Sequence, residues 1–102
     1  MIIERNVFRL KFGKAKESIA IWKEILNAAK SSNIKAPEMR LLSDISGSAY
    51  TLVVEMHING FNDINPKQAV WATTEKFQEL YQKFIPLCDS ATREYYKIEA
   101  II

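Results

Sequence analysis

Hydrophobic and polar positions alternate along residues 2 to 12. Phe8, Leu10 and Phe12 fall on one side and Arg5, Val7, Arg9 and Lys11 on the other, the period-two signature of a strand with one face toward a core. Gly13 ends it. From Lys14 the period lengthens, because Ile19, Trp22, Leu26 and Ala29 recur at helical spacing while Lys16, Glu17, Lys23, Glu24 and Lys30 take the remaining surface. Ser31-Ser32-Asn33 reads as the exit of that helix. Pro37 forbids its continuation, and Met39 to Leu42 restarts as a short strand that runs into the turn cluster Asp44-Ile45-Ser46-Gly47-Ser48.

The strand predicted over Ala49 to Ile58 carries the clearest pattern in the chain. Tyr50, Leu52, Val54, Met56 and Ile58 form one apolar face, with Thr51, Val53, Glu55 and His57 on the other. After a loop at Gly60 to Ile64, Asn65 reads as an N-cap, Pro66 as the first helical residue and Gln68 as its back-bonding partner. The helix is expected to run from Pro66 to about Lys83, with Val70, Thr73, Phe77, Leu80, Tyr81 and Phe84 on one face and Trp71 among its aromatic residues, until Pro86 stops it. Leu87 to Thr92 reads as a turn or a short helical piece. Tyr95 to Ile102 reads as the last strand, with Tyr96, Ile98 and Ala100 on its apolar side.

The order β-α-β-β-α-β predicts a single α+β domain over residues 1 to 102 on the ferredoxin-like plan, a four-stranded antiparallel sheet with two helices on one face. Phe8 and Leu10, Tyr50 to Ile58, and Tyr96 and Ile98 are expected to meet the helices. The opposite face would carry Val7, Val53, Tyr95 and Ile101 among Arg5, Arg9, Glu55, His57, Lys97 and Glu99. Such a face is more apolar than solvent requires and more charged than a core. A homodimer with sheets packed face to face is the expected solution, with Arg5, Val7, Arg9, Val53, Glu55, His57 and Tyr95 at the interface. Two adjacent subunits also suit a chain short enough that folding buries only about two-thirds of its surface.

Composition narrows the function classes. A net charge of +2, with Lys and Arg scattered among Asp and Glu, supplies no basic stripe for nucleic acid. Ser48 to Glu55 also lacks the Gly and aromatic offsets of an RNA-recognition strand. The opening Met1-Ile2-Ile3-Glu4-Arg5 places charges where a signal peptide needs an apolar run, and no stretch reaches membrane-spanning length, so the chain reads as cytoplasmic. Cys88 is the single cysteine and reads as a small buried hydrophobe. Ser46-Gly47-Ser48 is a turn without a nucleophile elbow, and no phosphate loop occurs.

Phe8 to Ala15, Asp44 to Glu55 and Phe77-Gln78-Glu79-Leu80-Tyr81 resemble the dimeric α+β barrel superfamily, in particular NIPSNAP-like proteins and their antibiotic-biosynthesis-monooxygenase relatives. The resemblance covers nearly the whole chain and rests on a strand, a Gly-Lys helix start, a Ser-Gly hairpin and an aromatic helix. It implies sheet-on-sheet dimers, and in many members a small molecule between sheet and helices. The heme-degrading branch uses an Asn on the first strand with a Trp and a heme-ligating His on the second helix. Here Asn6 and Trp71 are present, but Tyr81 stands at the histidine position, so no cofactor is expected.

Two functional readings follow. In the first, Asn6, Trp22, Tyr50, Trp71 and Tyr81 line a pocket for a small apolar or aromatic molecule, and the resemblance implies, for an enzyme of this kind, a cofactor-independent monooxygenase. In the second, the rings simply fill the core and the protein is a non-catalytic dimeric interaction module. For Glu55 and His57, a strand-face pair at i, i+2, an interface ion pair with Arg5 or Arg9 is favoured over metal or acid-base chemistry, and no metal is expected.

Overall fold

In the computed structural model, residues 1–31, 37–59 and 74–102 are described. The order is β1 (Ile2–Leu10), α1 (Ala15–Ser31), β2 (Glu38–Ser43), β3 (Thr51–Ile58), α2 (Glu75–Phe84), a 3-10 turn (Ile85–Leu87) and β4 (Cys88–Lys97). The expected β-α-β-β-α-β plan is the fold that forms. The four strands make one antiparallel sheet in the order β2-β3-β1-β4. The strongly patterned β3 therefore lies inside the sheet beside β1.

One core joins the layers. Phe8, Leu10, Leu52 and Val54 from the sheet meet Trp22, Ile25 and Ala29 of α1 and Leu80 and Phe84 of α2. Leu52, Val54, Ile25 and Phe84 are almost fully buried. In α1 the inward stripe is Ser18, Trp22, Ile25 and Ala29, so Ile25 takes the place expected for Leu26, which is half-buried. Ser18 tolerates burial because its hydroxyl donates to the Lys14 carbonyl at 2.7 Å.

The strand limits differ at three places. β1 stops at Leu10, where its pairing with β4 shifts register, and Phe12 turns out to solvent instead of joining the core. Tyr50 adopts a positive φ of 59°, a conformation unfavourable for a bulky residue, and β3 accordingly begins at Thr51. The Tyr50 carbonyl still accepts from the Leu10 amide at 2.8 Å. The hairpin loop before β3 is closed by Asp44, whose carboxylate accepts from the Thr51 amide at 3.0 Å; Gly47 supplies the φ of 92° within it.

β4 departs furthest from expectation. Pro86 sits in a 3-10 turn that reverses the chain at once, and Cys88 already pairs with Leu10. Residues expected as a turn are thus strand, and residues 98–102, expected as strand, lie beyond it. An edge strand needs no apolar alternation, because charged residues on it discourage edge-to-edge pairing; the Asp89 to Thr92 stretch carried no strand signal for that reason. The register also reverses the expected faces. Tyr95 pairs with Glu4 on the helix side, while Tyr96 pairs with Ile3 on the open side.

Helix α2 begins at Glu75. Thr74 is extended, with ψ 149°, and its hydroxyl accepts from the Phe77 amide at 3.3 Å, so no single helix runs unbroken from Pro66 to Lys83. Asn65, Pro66, Gln68, Val70, Trp71 and Thr73 lie outside the described residues.

Candidate functional site

The aromatic nest beneath α2 is built by helical and strand spacing acting together. Phe77, Tyr81 and Phe84 recur at four and three residues along α2 and so share a face. Opposite them stand Trp22 of α1 and Phe8 of β1. Phe84 meets Phe8 edge-on at 4.8 Å and Trp22 edge-on at 5.5 Å. Tyr81 stacks on Phe77 at 5.4 Å and meets Trp22 at 6.2 Å. These are the offset and T-shaped arrangements that ring quadrupoles favour.

Two polar atoms mark this nest. The Trp22 indole Nε1 is buried and has no hydrogen-bond partner among the described residues, a state that costs free energy in an apolar surrounding. Tyr81, half-buried, has its hydroxyl pushed above the ordinary phenol value by burial, with Cys88 adding to the rise and Arg93 opposing it. Burial likewise raises the Cys88 thiol, Asp89 adds to the rise and Lys11 opposes it. Cys88 is partly exposed, at the start of β4, and its Sγ reaches the Phe84 carbonyl at 3.9 Å.

A polar cluster continues from the nest along β1 and β4. The Asn6 amide donates to Glu4 Oε1 at 3.1 Å, and its carbonyl oxygen accepts from Arg93 Nε at 2.8 Å. Arg93 also pairs with Glu4 at 3.3 Å. Glu4 is buried, so Arg93 and Asn6 together supply the compensation that a buried carboxylate requires. Asn6 thus spends both ends of its amide on neighbours within the chain.

Of the five residues expected to line a pocket, the structure brings Trp22 and Tyr81 into contact, while Asn6 is bonded to Glu4 and Arg93. Tyr50 is partly buried and packs against the same core cluster, with its ring 5.1 Å from that of Phe12. Trp71 lies outside the described residues. Sequence reasoning missed Glu4, Arg93 and Phe84 as site neighbours; Arg93 was invisible because its strand was read as starting at Tyr95.

The open face is organised in rows across β2, β3, β1 and β4. One row reads Leu42, Val53, Val7, Thr92, and the next Arg40, Glu55, Arg5, Glu94. Glu55 is buried between two guanidinium groups, 2.6 Å from Arg40 and 3.7 Å from Arg5. Its ion pairs lie within one chain, and Arg40, absent from the expected set, makes the shorter. His57 occupies the following row, with its Nε2 buried and unpartnered. Tyr95, expected on this face, is on the other; Tyr96 replaces it and holds Arg5 over its ring at 5.9 Å. Among the described residues no cluster of side chains could hold a metal ion, and no helix is long and apolar enough to cross a membrane.

No protein-family model matches the chain, and a search of the curated proteins finds no match. Solved structures do match. An uncharacterized NIPSNAP domain protein from Burkholderia xenovorans superposes with a TM-score of 0.83 at 16% identity, covering 100% of this chain and 98% of that one. The fold is that of NIPSNAP domain proteins. A NIPSNAP family protein from Agrobacterium tumefaciens gives 0.77 at 16% identity, over 93% of this chain and 82% of its own. A structure described as an antibiotic biosynthesis monooxygenase gives 0.73 at 11% identity, over 98% and 100%. The two groups of structures are those that the sequence resembles, and they share with it the ferredoxin-like α+β plan.

Proposed function

We propose that the chain forms a homodimer through its open sheet face and that each subunit binds a small, largely apolar or aromatic molecule between helices and sheet. The observation that carries the ligand reading is the Trp22 indole N–H, buried and unpartnered inside a nest of Phe8, Tyr81 and Phe84. A pocket of apolar walls with one or two directed polar groups is how small-molecule sites are built. Trp22 donates to an oxygen on the ligand, and the Tyr81 ring and hydroxyl flank it. The Tyr81 hydroxyl is protonated at neutral pH, and burial pushes its value further up, so it stays a donor. Asn6 acts at one remove, holding Arg93 and Glu4 in place. The likeness to a structure described as an antibiotic biosynthesis monooxygenase supports mono-oxygenation of such a ligand by molecular oxygen as the reaction class.

The probe is 1-naphthol, which offers an aromatic body and one oxygen. Calorimetric titration is expected to show saturable binding, and Trp22→Phe to weaken it about tenfold, the loss of one hydrogen bond, with an unchanged circular dichroism spectrum. Equal affinity in the two proteins would make Trp22 a packing residue and remove the reading.

A further inference from the structure

Exposed apolar side chains scattered singly over a protein surface are ordinary. In this chain they gather. Among the described residues, the exposed large apolar side chains outside the chain ends and β4 are Phe12, Ile45 and Ile85; Phe12 is 88% exposed and Ile45 fully so. They stand on three different loops that meet at one end of the sheet. The Leu10 amide donates to the carbonyl of Tyr50, the last residue of the hairpin loop, and the Lys11 amide donates to the carbonyl of Leu87, the last residue of the 3-10 turn, each at 2.8 Å. The end of β1 is thereby held between the loop that carries Ile45 and the turn that carries Ile85, and its own turn into α1 carries Phe12.

Backbone geometry fixes two of these tips. The Lys14 amide donates to the Lys11 carbonyl at 3.0 Å, closing a turn with Phe12 and Gly13 at its corner, and Gly13 supplies the φ of 78° that such a corner requires. The Phe12 ring touches Tyr50 on one side and is otherwise in water. The hairpin loop is held by the bond from the Thr51 amide to Asp44 and by the positive φ of Gly47. A side chain already held out by its turn loses little freedom on docking.

The charge at this end is positive. Lys11, Lys16 and Lys83 are exposed, and none makes an ion pair among the described residues. Of the acids here, Glu17 pairs with Lys14 at 3.8 Å. Asp44 accepts from the Thr51 amide while Arg9 bonds to the Thr51 hydroxyl, so these two charges offset each other. Asp89, at the start of β4, is left against the three lysines. A protein partner would have to match three separate tips with a rigid surface. The headgroup layer of a bilayer accepts apolar side chains at whatever spacing they have, its anionic lipids attract lysines, and no spanning segment is needed.

We propose that this end of the molecule docks on an anionic lipid surface. Phe12 and Ile45 enter the boundary between headgroups and acyl chains, Ile85 rests on it, and Lys11, Lys16 and Lys83 face the lipid phosphates. The loop carbonyls keep the insertion shallow, because they need water. The contact uses neither the Trp22 indole nor the open sheet face, so it stands apart from both readings above.

The test sediments the full chain with vesicles of phosphatidylcholine alone and with vesicles of equal parts phosphatidylcholine and phosphatidylglycerol, and takes the mass of the free protein by light scattering. Binding to the mixed vesicles is expected, about tenfold weaker on the neutral ones and weakened as added salt screens the lysines. Phe12→Ser carrying Ile45→Ser should lose about tenfold or more on the mixed vesicles with an unchanged circular dichroism spectrum, because the apolar burial is removed. Lys11→Gln carrying Lys83→Gln should narrow the gap between the two vesicle types. The proposal is overturned by absent binding to the mixed vesicles, by equal binding to both types or by unchanged binding of the Phe12 and Ile45 variant. A free mass that falls in that variant, without vesicle binding by the parent chain, would assign the tips to a second copy and overturn the lipid reading.

Discussion

Asn6 shows that a residue's place on a strand and the identity of its partners are settled at different ranges along the chain. Its place on the helix-facing side of β1 follows from alternation with Phe8 and Leu10, and a polar group there needs partners. Those partners are Glu4, two residues away, and Arg93, 87 residues away. The first was within reach of the sequence pattern; the second depends on β4 pairing. Tyr81 and Cys88 bear a measurable consequence of the same packing. Their ordinary values are 10.0 and 9.0, and burial raises both. The native state then holds more protons than the unfolded chain above about pH 9, so stability is whole below that pH and falls as pH rises through the raised values. Urea midpoints are expected to drop as pH rises above the ordinary thiol and phenol values of 9.0 and 10.0, and to drop less in Tyr81→Phe carrying Cys88→Ser. A midpoint independent of pH across that window would contradict the burial of both groups.

At the scale of elements, the two helices and the inner strands follow from periodicity, and the errors gather at their ends. Helix α1 was displaced by one position on its face because Leu26 and Ile25 are equally apolar and only the sheet beneath selects between them. The helical spacing carries α2 through Thr74, a residue whose side chain instead caps the helix. Thr74→Ala removes the acceptor for the Phe77 amide. It is expected to cost about 1 kcal/mol, visible as a lower urea midpoint with an unchanged slope, whereas Thr74→Ser should restore most of it. No loss in Thr74→Ala would mean that the cap bond contributes nothing to α2. The aromatic face of α2 survives this revision, since Phe77, Tyr81 and Phe84 all lie beyond the cap.

For the whole molecule, the open sheet face carries the prediction of assembly. Its rows alternate apolar and charged character, and the charged row alternates in sign from Arg40 through Glu55 and Arg5 to Glu94. A two-fold axis sets such a row against its own reverse, positive against negative, while Val7, Val53 and Leu42 supply apolar area. The residues expected at the interface, Arg5, Val7, Arg9, Val53, Glu55 and His57, share this face; Tyr95 leaves it and Tyr96 enters. Light scattering at micromolar concentration is expected to give a two-chain mass. Val53→Arg, which sets a charge in the apolar row, should give a one-chain mass with helix and strand content retained. A wild-type one-chain mass would refute the assembly.

The order of elements, the one-sided helices and the aromatic character of α2 are legible in the chain alone, because each is a local periodicity read within some ten residues. The ferredoxin-like plan follows from them, since two one-sided helices and an apolar β3 leave few ways to close a core. The sides that Tyr95 and Tyr96 occupy, the start of β4, and the bonds by which Arg93 holds Asn6 and Arg40 holds Glu55 come from the folded sheet. Those outcomes rest on strand register, and a register error of one residue exchanges the faces of a whole strand. On the edge strand β4 nothing in the pattern of apolar residues fixes that register; it is set by hydrogen bonds to β1 and by the turn at Pro86.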